Sequence, residues 1–283
     1  MERKKITTQD LLAKKQQGQK IVRVVCYDYP MALLADRAGV DSILVGDSVG
    51  MVILGESSTV PITMEQMIHH CKAVVRAVKY ALVVGDLPFL SYQTCIRDAI
   101  YNAGLLMKYG GVDAVKLEGG EEFAPTVEAI VKAGIPVVGH IGLTPQTISK
   151  LGGYKVQGAD IVTARKLIKD AKALEAAGVF MLTLECIPDR VAELICKELT
   201  IPATGIGAGP YTDGQTLNVY DMVGLFERFT PKFVKKYANL SETILQALQE
   251  YKEEVEKGTF PGPEHTYHIE EEVLKEVLES KEN

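Results

Sequence analysis

Short runs of apolar, mostly β-branched residues alternate along the chain with longer amphipathic stretches. Such runs predict strands buried on both faces, and the stretches between them have the apolar spacing of helices. Thr7 and Thr63 begin capping-box sequences, and Gly39, Gly134 and Gly178 close predicted helices. Seven strands are predicted, at 21–26, 42–45, 81–85, 112–117, 136–139, 179–184 and 201–206.

The end of the alternating pattern is fainter. Residues 233–237 predict an eighth strand, and residues 240–256 predict a closing helix. Seven clear strand–helix units and a weaker eighth predict an α/β fold, a closed (β/α)8 TIM barrel. An open doubly wound sheet is the alternative, because the eighth strand is faint. We expect one domain over 1–283, with an N-terminal helix at about 7–17 and a C-terminal extension at about 257–283.

Composition narrows the possible partners. The 283 residues are 47% apolar and 24% charged, as in ordinary globular proteins. A net charge of −6 without a Lys/Arg cluster argues against nucleic acid. No apolar stretch reaches the length of a membrane span, and the polar N-terminus does not predict a secretory signal. Five cysteines without a C-x-x-C pair suggest reduced thiols and a cytoplasmic location.

Acidic residues follow three successive predicted strands. Asp47, Asp86 and Glu118 each stand at or just beyond the end of an apolar run. In a parallel barrel these ends meet on one face, where ligands bind. Carboxylates with room for water and substrate oxygens suit Mg²⁺ better than Zn²⁺. The alternative for each acid is a helix cap or a surface ion pair.

Four further residues share this predicted face. Ser48 follows Asp47 directly, and Lys116 is placed to face the same side of its strand as Glu118. A cation there can hold a carboxylate or a developing oxyanion, although a structural ion pair is equally consistent. His140 follows a strand and is either structural or functional. Glu185, at the end of another apolar run, suits a general base or a helix N-terminal acid.

Taken together, these segments resemble the motif set of the ketopantoate hydroxymethyltransferase family. The resemblance covers about residues 5–268, with every motif in order. The matching segments are Val45-Gly46-Asp47-Ser48, Val84-Gly85-Asp86-Leu87-Pro88, Val115-Lys116-Leu117-Glu118-Gly119-Gly120, Gly139-His140-Ile141-Gly142-Leu143-Thr144-Pro145-Gln146, Gly153-Tyr154-Lys155-Val156-Gln157-Gly158, Leu184-Glu185-Cys186-Ile187-Pro188, Gly205-Ile206-Gly207-Ala208-Gly209-Pro210 and Asp213-Gly214-Gln215.

The resemblance implies a barrel of the phosphoenolpyruvate/pyruvate superfamily. It further implies transfer of a hydroxymethyl group from 5,10-methylenetetrahydrofolate to 3-methyl-2-oxobutanoate, giving 2-dehydropantoate for pantothenate synthesis. The family commonly forms a homo-oligomer, a decamer built from dimers. The implied residue roles are Asp47, Asp86 and Glu118 at Mg²⁺, Asp47, Ser48, Asp86, Lys116 and His140 at the substrate, and Glu185 as proton acceptor.

Two other functions are compatible with the same residues. A different Mg²⁺-dependent 2-oxo acid lyase of this superfamily would share the acids but carry a reactive cysteine on a loop. A non-catalytic barrel would leave the clustering of acids, Lys116, His140 and Glu185 at strand ends without a reason. Small departures from the family's pattern fall away from the metal and base positions, at Cys26, Pro30, Thr183 and Asn218.

Overall fold

The computed structural model describes residues 3–280 of the chain. Two compact units divide this range, and the boundary between them falls between Tyr237 and Ala238. The first unit contains every strand, and the second contains two helices with a 3-10 turn between them. The prediction of one domain over 1–283 includes residues outside the described range and stays a prediction.

Eight parallel strands close into a barrel in the first unit, each paired with its neighbour in chain order. The last strand pairs with the first over five positions, from Ile21 with Gly214 to Val25 with Asn218. The predicted barrel is therefore confirmed, and the open sheet is excluded. The strands are β1 (Ile21–Val25), β2 (Ser42–Val45), β3 (Leu82–Asp86), β4 (Ala114–Glu118), β5 (Val137–Gly142), β6 (Met181–Glu185), β7 (Ala203–Ile206) and β8 (Gly214–Asn218).

Helices follow most of the strands, and both predicted capping boxes are present, at Thr7 and Thr63. None of the described helices combines the length and apolar character needed to cross a bilayer. The helices are α1 (Thr8–Gln16), α2 (Tyr29–Ala38), α3 (Val49–Val52), α4 (Met64–Ala77), α5 (Ile96–Leu105), α6 (Ala124–Lys132), α7 (Ile148–Leu151), α8 (Ile161–Ala176), α9 (Asp189–Glu198), α10 (Val219–Met222), α11 (Leu240–Lys257) and α12 (Glu271–Glu279).

The prediction of the eighth strand was wrong in position. Residues 233–237 form turns and irregular backbone, and β8 lies about 20 residues earlier, directly after the glycine-rich turn that follows β7. Residues 207–213 join β7 to β8 without a helix. The apolar pattern missed β8 because its inward side chains are polar: Thr216 is buried, and its hydroxyl bonds the Thr204 hydroxyl of β7 at 3.2 Å.

Alternation along the strands decides which side chains reach the interior. On β1, Val22 is 51% exposed while Ile21 and Arg23 are buried, so Arg23 points into the barrel. On β4, Lys116 and Glu118 are two residues apart and Lys116 Nζ donates to Glu118 Oε1 at 3.0 Å, so the two side chains share one side of the strand as predicted. The barrel axis therefore carries charged groups, and the apolar core lies mainly between strands and helices.

Gly142, at the end of β5, has φ +96°, and a Cβ built there would lie 2.2 Å from the main-chain oxygen of Glu185. We expect Gly142→Ala to lower the free energy of unfolding by about 3 kcal/mol or more, because left-handed strain and a clash with rigid backbone add. Urea denaturation of the full chain measures this loss. Gly134→Ala is the matched control, since Gly134 has φ +88° but nothing within 4 Å. Equal losses in the two variants would contradict the clash.

Candidate active site

A cavity of about 1140 Å³ opens at the carboxyl ends of the strands. The residues that line it come from strand ends far apart in the sequence and include every side chain given a role from the sequence. These are Asp47, Ser48, Asp86, Lys116, Glu118, His140 and Glu185. The structure thus brings all seven together, and their individual chemical roles stay predictions.

Lys116 is the centre of a buried ion-pair cluster. Its Nζ donates to Asp86 Oδ2 at 2.8 Å and to Glu118 Oε1 at 3.0 Å, and all three residues are buried. Burial acts to lower the pKa of Lys116, but the surrounding carboxylates hold it well above its ordinary value. Burial acts to raise the pKa of Glu118, but Lys116 and His140 hold it at about 2. Lys116 is therefore a fixed cation and Glu118 a fixed anion.

Asp47 adjoins this cluster, and its negative charge is much less well compensated. Its main-chain N–H donates to Asp86 Oδ2 at 3.2 Å, and its own Oδ2 accepts from Gln146 Nε2 at 2.8 Å. Burial, and then the Asp86 carboxylate, raise the pKa of Asp47 well above its ordinary value. Burial also raises the pKa of Asp86, with Lys116 opposing the change. Asp47 and Asp86 are therefore two neighbouring buried acids whose charges are only partly compensated.

His140 lies between two carboxylates. Its Nδ1 is 3.5 Å from Glu118 Oε1, and its Nε2 is 3.2 Å from Glu185 Oε2. Both are ion-pair distances, although neither contact has the alignment of a hydrogen bond. Burial and Lys116 act to lower the pKa of His140, but the carboxylates outweigh them and raise it to about 9. The imidazolium near neutral pH thus holds the Glu185 carboxylate at the cavity.

The backbone directly after Glu185 is strained. Cys186 has φ +49°, a left-handed conformation that is costly for a residue with a Cβ. Three main-chain hydrogen bonds hold the turn: Cys186 N–H donates to Ile206 O at 2.8 Å, Gln157 N–H to Cys186 O at 2.9 Å, and Leu143 N–H to Glu185 O at 2.8 Å. The backbone at and after Glu185 is therefore held by β7 and by two neighbouring loops.

Sequence comparison decides the family. The sequence profile of ketopantoate hydroxymethyltransferase matches residues 5–263. The chain belongs to the ketopantoate hydroxymethyltransferase family. It is 59% identical over 266 residues to the 3-methyl-2-oxobutanoate hydroxymethyltransferase of Moorella thermoacetica, covering 94% of this chain and 99% of that protein. The enzyme of the same name from Syntrophomonas wolfei is 54% identical, covering 95% of this chain and 98% of that protein.

Solved structures of other proteins share the fold of this family member at low identity. Phosphonopyruvate hydrolase superimposes with a TM-score of 0.60 at 13% identity, covering 98% of this chain and 96% of that one. 2,3-Dimethylmalate lyase, a PEP mutase/isocitrate lyase superfamily member, gives 0.58 at 14% identity, with 97% and 95% covered. The predicted superfamily type of barrel is thus confirmed for the fold alone.

Two acids of this family member, Asp47 and Asp86, are suited to bind a hard divalent cation. Glu118 Oε1 contacts Lys116 and His140, and its Oε2 accepts from the Gln146 main-chain N–H at 3.0 Å. Within residues 3–280, no group of three or more His, Cys, Asp or Glu side chains is arranged to hold a metal. Asp47 and Asp86 remain, and Asp86 Oδ1 has no partner in the described part of the chain. Mg²⁺ is commonly bound through one or two carboxylates, with water and substrate oxygens completing the shell.

Three residues without a predicted role are built into the site. Gln146 joins Asp47 to Glu118, and the Tyr92 hydroxyl fixes the Gln146 amide by donating to its Oε1 at 2.8 Å. Arg23, buried in the interior, donates to Thr183 Oγ1 at 2.9 Å, and burial lowers its pKa to about 10. Arg23 is a charge inside an apolar strand and Gln146 ends a strand-end motif, so both had a sequence signal.

Removing Lys116 tests the buried cluster. We expect Lys116→Met to lower the free energy of unfolding by about 3–5 kcal/mol, because Asp86 and Glu118 are left as buried charges without their cation. Urea denaturation at neutral pH measures the loss. Lys132→Met is the control, because Lys132 pairs with Glu128 at 2.6 Å in solvent, with 71% of its side chain exposed. A loss no larger than the control's would show that Lys116 does not stabilise the cluster.

Proposed function

We propose that the chain is a 3-methyl-2-oxobutanoate hydroxymethyltransferase of pantothenate biosynthesis. It transfers a one-carbon unit from 5,10-methylenetetrahydrofolate to 3-methyl-2-oxobutanoate and forms 2-dehydropantoate. The observation that carries this proposal is the 59% identity over nearly the whole length to an enzyme of that name. The arrangement of base, cation and acids in the cavity is consistent with the chemistry, which begins by removing a proton next to a ketone.

The 2-oxo acid is bound by the cluster at the cavity floor. We place its carboxylate and ketone oxygens near Lys116 and Ser48, which supply a cation and a hydroxyl. Asp47 and Asp86 would hold Mg²⁺, and Glu118, which pairs with Lys116, would be the third acid of the metal site. Bound Mg²⁺ supplies Lewis acidity, which lowers the pKa of the carbon–hydrogen bond next to the ketone.

Glu185 is the proton acceptor in this proposal. Its side chain is 14% exposed, faces the cavity and is held by the His140 imidazolium at 3.2 Å. Glu185 removes the proton from C3 of the oxo acid, and Lys116 stabilises the negative charge that develops on the ketone oxygen. The C3 carbanion then attacks the methylene carbon of the folate while one carbon–nitrogen bond of that carbon breaks, and the released nitrogen takes the proton held by Glu185. Hydrolysis of the remaining carbon–nitrogen bond places the hydroxyl of water on the methylene carbon and its hydrogen on the second nitrogen, which gives 2-dehydropantoate and tetrahydrofolate.

The lyase alternative is less well supported by the cysteines. Cys186 lines the cavity, but burial and then Glu185 raise its pKa to about 12, so it stays a thiol at neutral pH. Cys95 is exposed at the start of α5 and does not line the cavity. A reactive thiolate beside the proposed base is therefore not favoured by the arrangement of these residues.

Assembly and location follow the family resemblance in this proposal. The chain forms a homo-oligomer, specifically a decamer, and acts in the cytoplasm. Its five cysteines are free thiols, which is consistent with a reducing compartment. Light scattering of the purified chain gives the number of subunits directly.

Deuterium exchange tests the proposed first step. With Mg²⁺ and 3-methyl-2-oxobutanoate in D₂O, the protein should accelerate loss of the C3 proton signal in the NMR spectrum. Glu185→Gln should reduce this rate by about 100-fold or more while oxo-acid binding persists, because the base is lost and the shape is kept. Glu193→Gln, a change in an ion pair of α9 that does not line the cavity, is the control. Exchange by Glu185→Gln at the wild-type rate would reassign the base.

The metal role of Asp47 predicts a stability change that does not depend on activity. Asp47→Asn should remove the rise in melting temperature that Mg²⁺ gives to the wild type, because one of two carboxylate ligands is lost. Without Mg²⁺, the variant should be at least as stable as the wild type, because a buried like charge next to Asp86 is removed. Differential scanning calorimetry measures both effects. An undiminished Mg²⁺ shift would exclude Asp47 as a ligand.

A further inference from the structure

A chain of hydrogen bonds runs from the end of β8 to the cavity. Asn218 Nδ2 lies 2.7 Å from the Tyr27 hydroxyl oxygen, which lies 2.7 Å from Ser48 Oγ. The three residues follow β1, follow β2 and end β8, so the fold alone brings them together. The direction of each bond can be derived from the groups at its ends.

The amide of Asn218 has a fixed orientation. Its Oδ1 accepts from the main-chain N–H of Tyr220 at 3.1 Å, at the start of α10. A main-chain N–H can only donate, so the oxygen of the amide faces Tyr220 and the nitrogen faces Tyr27. Asn218 is therefore the donor to Tyr27.

The phenol of Tyr27 must then pass its own hydrogen onward. Its oxygen accepts from Asn218, and the side chain is fully buried. Burial raises the pKa of Tyr27, so the phenol keeps its proton. Its other polar neighbour is Ser48, and a buried hydroxyl hydrogen without an acceptor is unfavourable. Tyr27 therefore donates to Ser48.

Ser48 is left with a free hydrogen on the cavity side. Its Oγ accepts from Tyr27, so its own O–H has to point elsewhere, and Ser48 lines the cavity. The hydroxyl does not cap α3, although Ser48 stands at the start of that helix. The single hydrogen of Ser48 is thus available to an acceptor in the cavity.

We propose that Asn218 and Tyr27 are positioning residues that fix the Ser48 hydroxyl as a hydrogen-bond donor to an oxygen of the bound 2-oxo acid. The inference rests on the proposed function, because it takes the oxo acid as the ligand of the cavity. It adds a feature that does not depend on charge. The direction in which the neutral Ser48 hydroxyl donates is set before the substrate binds. A pre-oriented donor binds a carboxylate or ketone oxygen without reorganisation.

The surroundings hold the chain of bonds rigid. The Tyr27 ring stacks on Tyr220 with centroids 5.5 Å apart, and the Tyr220 hydroxyl bonds the Asp28 carboxylate. The main-chain oxygen of Tyr27 lies 2.9 Å from His70 Nδ1.

Asn218→Asp reverses the chain of bonds with little change in shape. A carboxylate keeps the acceptor for Tyr220 N–H but cannot donate, so Tyr27 would donate to it and Ser48 would donate to Tyr27. Ser48 would then present only lone pairs to the cavity. At about pH 8, we expect the Kd and KM for 3-methyl-2-oxobutanoate to rise about 10- to 100-fold, with a smaller change in kcat. Titration calorimetry and steady-state kinetics on the full chain measure these values.

The added charge requires its own control, since Asn218 also lines the cavity. The same substitution in a Ser48→Ala background adds the charge but has no hydroxyl to redirect. In the Ser48→Ala background we expect Asn218→Asp to raise the Kd for 3-methyl-2-oxobutanoate by about threefold or less. The effects of the two substitutions on Kd are then not additive. Tyr27→Phe keeps the ring stack and provides a second background with the same expectation, should one double variant fail to fold.

Two outcomes overturn the inference alone. The first is an unchanged Kd in Asn218→Asp. The second is an equal rise in Kd on Asn218→Asp in the wild-type, Ser48→Ala and Tyr27→Phe backgrounds. If the wild type neither binds 3-methyl-2-oxobutanoate nor exchanges its C3 proton, the proposed function fails first and the inference falls with it. Melting temperatures of all variants separate loss of binding from loss of folding.

Discussion

The balance of charge inside the barrel is the constraint on which the site depends. Lys116 is buried between Asp86 and Glu118, and moving ions out of water is costly unless each finds a partner. Alternation along β4 puts Lys116 and Glu118 on one side of the strand, so that each provides a partner for the other. The register between β3 and β4 places Asp86 opposite Lys116. Strand pairing therefore determines the electrostatics of the cavity before any ligand binds.

The buried charges of the site are compensated to different degrees. Glu118 and His140 are stabilised as charged groups. Burial raises the pKa values of Asp47 and Asp86, and a neighbouring carboxylate adds to the rise in each case, Asp86 for Asp47 and Glu118 for Asp86. A divalent cation between two such acids would relieve a cost that the protein otherwise carries. Groups with strongly perturbed pKa values clustered in a cavity are typical of catalytic sites. Stability is thus lower where metal and substrate are proposed to bind.

Uncharged residues also orient the side chains of the site. Gln146 donates to Asp47 from its side chain and to Glu118 from its main chain, so one loop residue orients two acids. On the opposite side, Asn218 and Tyr27 direct the hydroxyl of Ser48. Main-chain hydrogen bonds hold the strained turn at Cys186, directly after Glu185. In the first two cases a residue that carries no charge fixes the direction of one proposed to touch the substrate, which is how a site is prepared in advance.

The sequence by itself determined the barrel, the seven candidate residues and the family, because apolar runs ending in Gly-Asp, Lys-x-Glu and Leu-Glu are local patterns. It did not determine β8, whose inward residues are polar, or the partners of those candidates. Asn218 and Tyr27 are 191 residues apart, and Gln146 and Asp47 are 99 apart. Such contacts depend on closure of the barrel and on strand register, which arise from packing of the whole chain. Only the tertiary structure could therefore decide which groups donate, which accept and which charges remain unpaired.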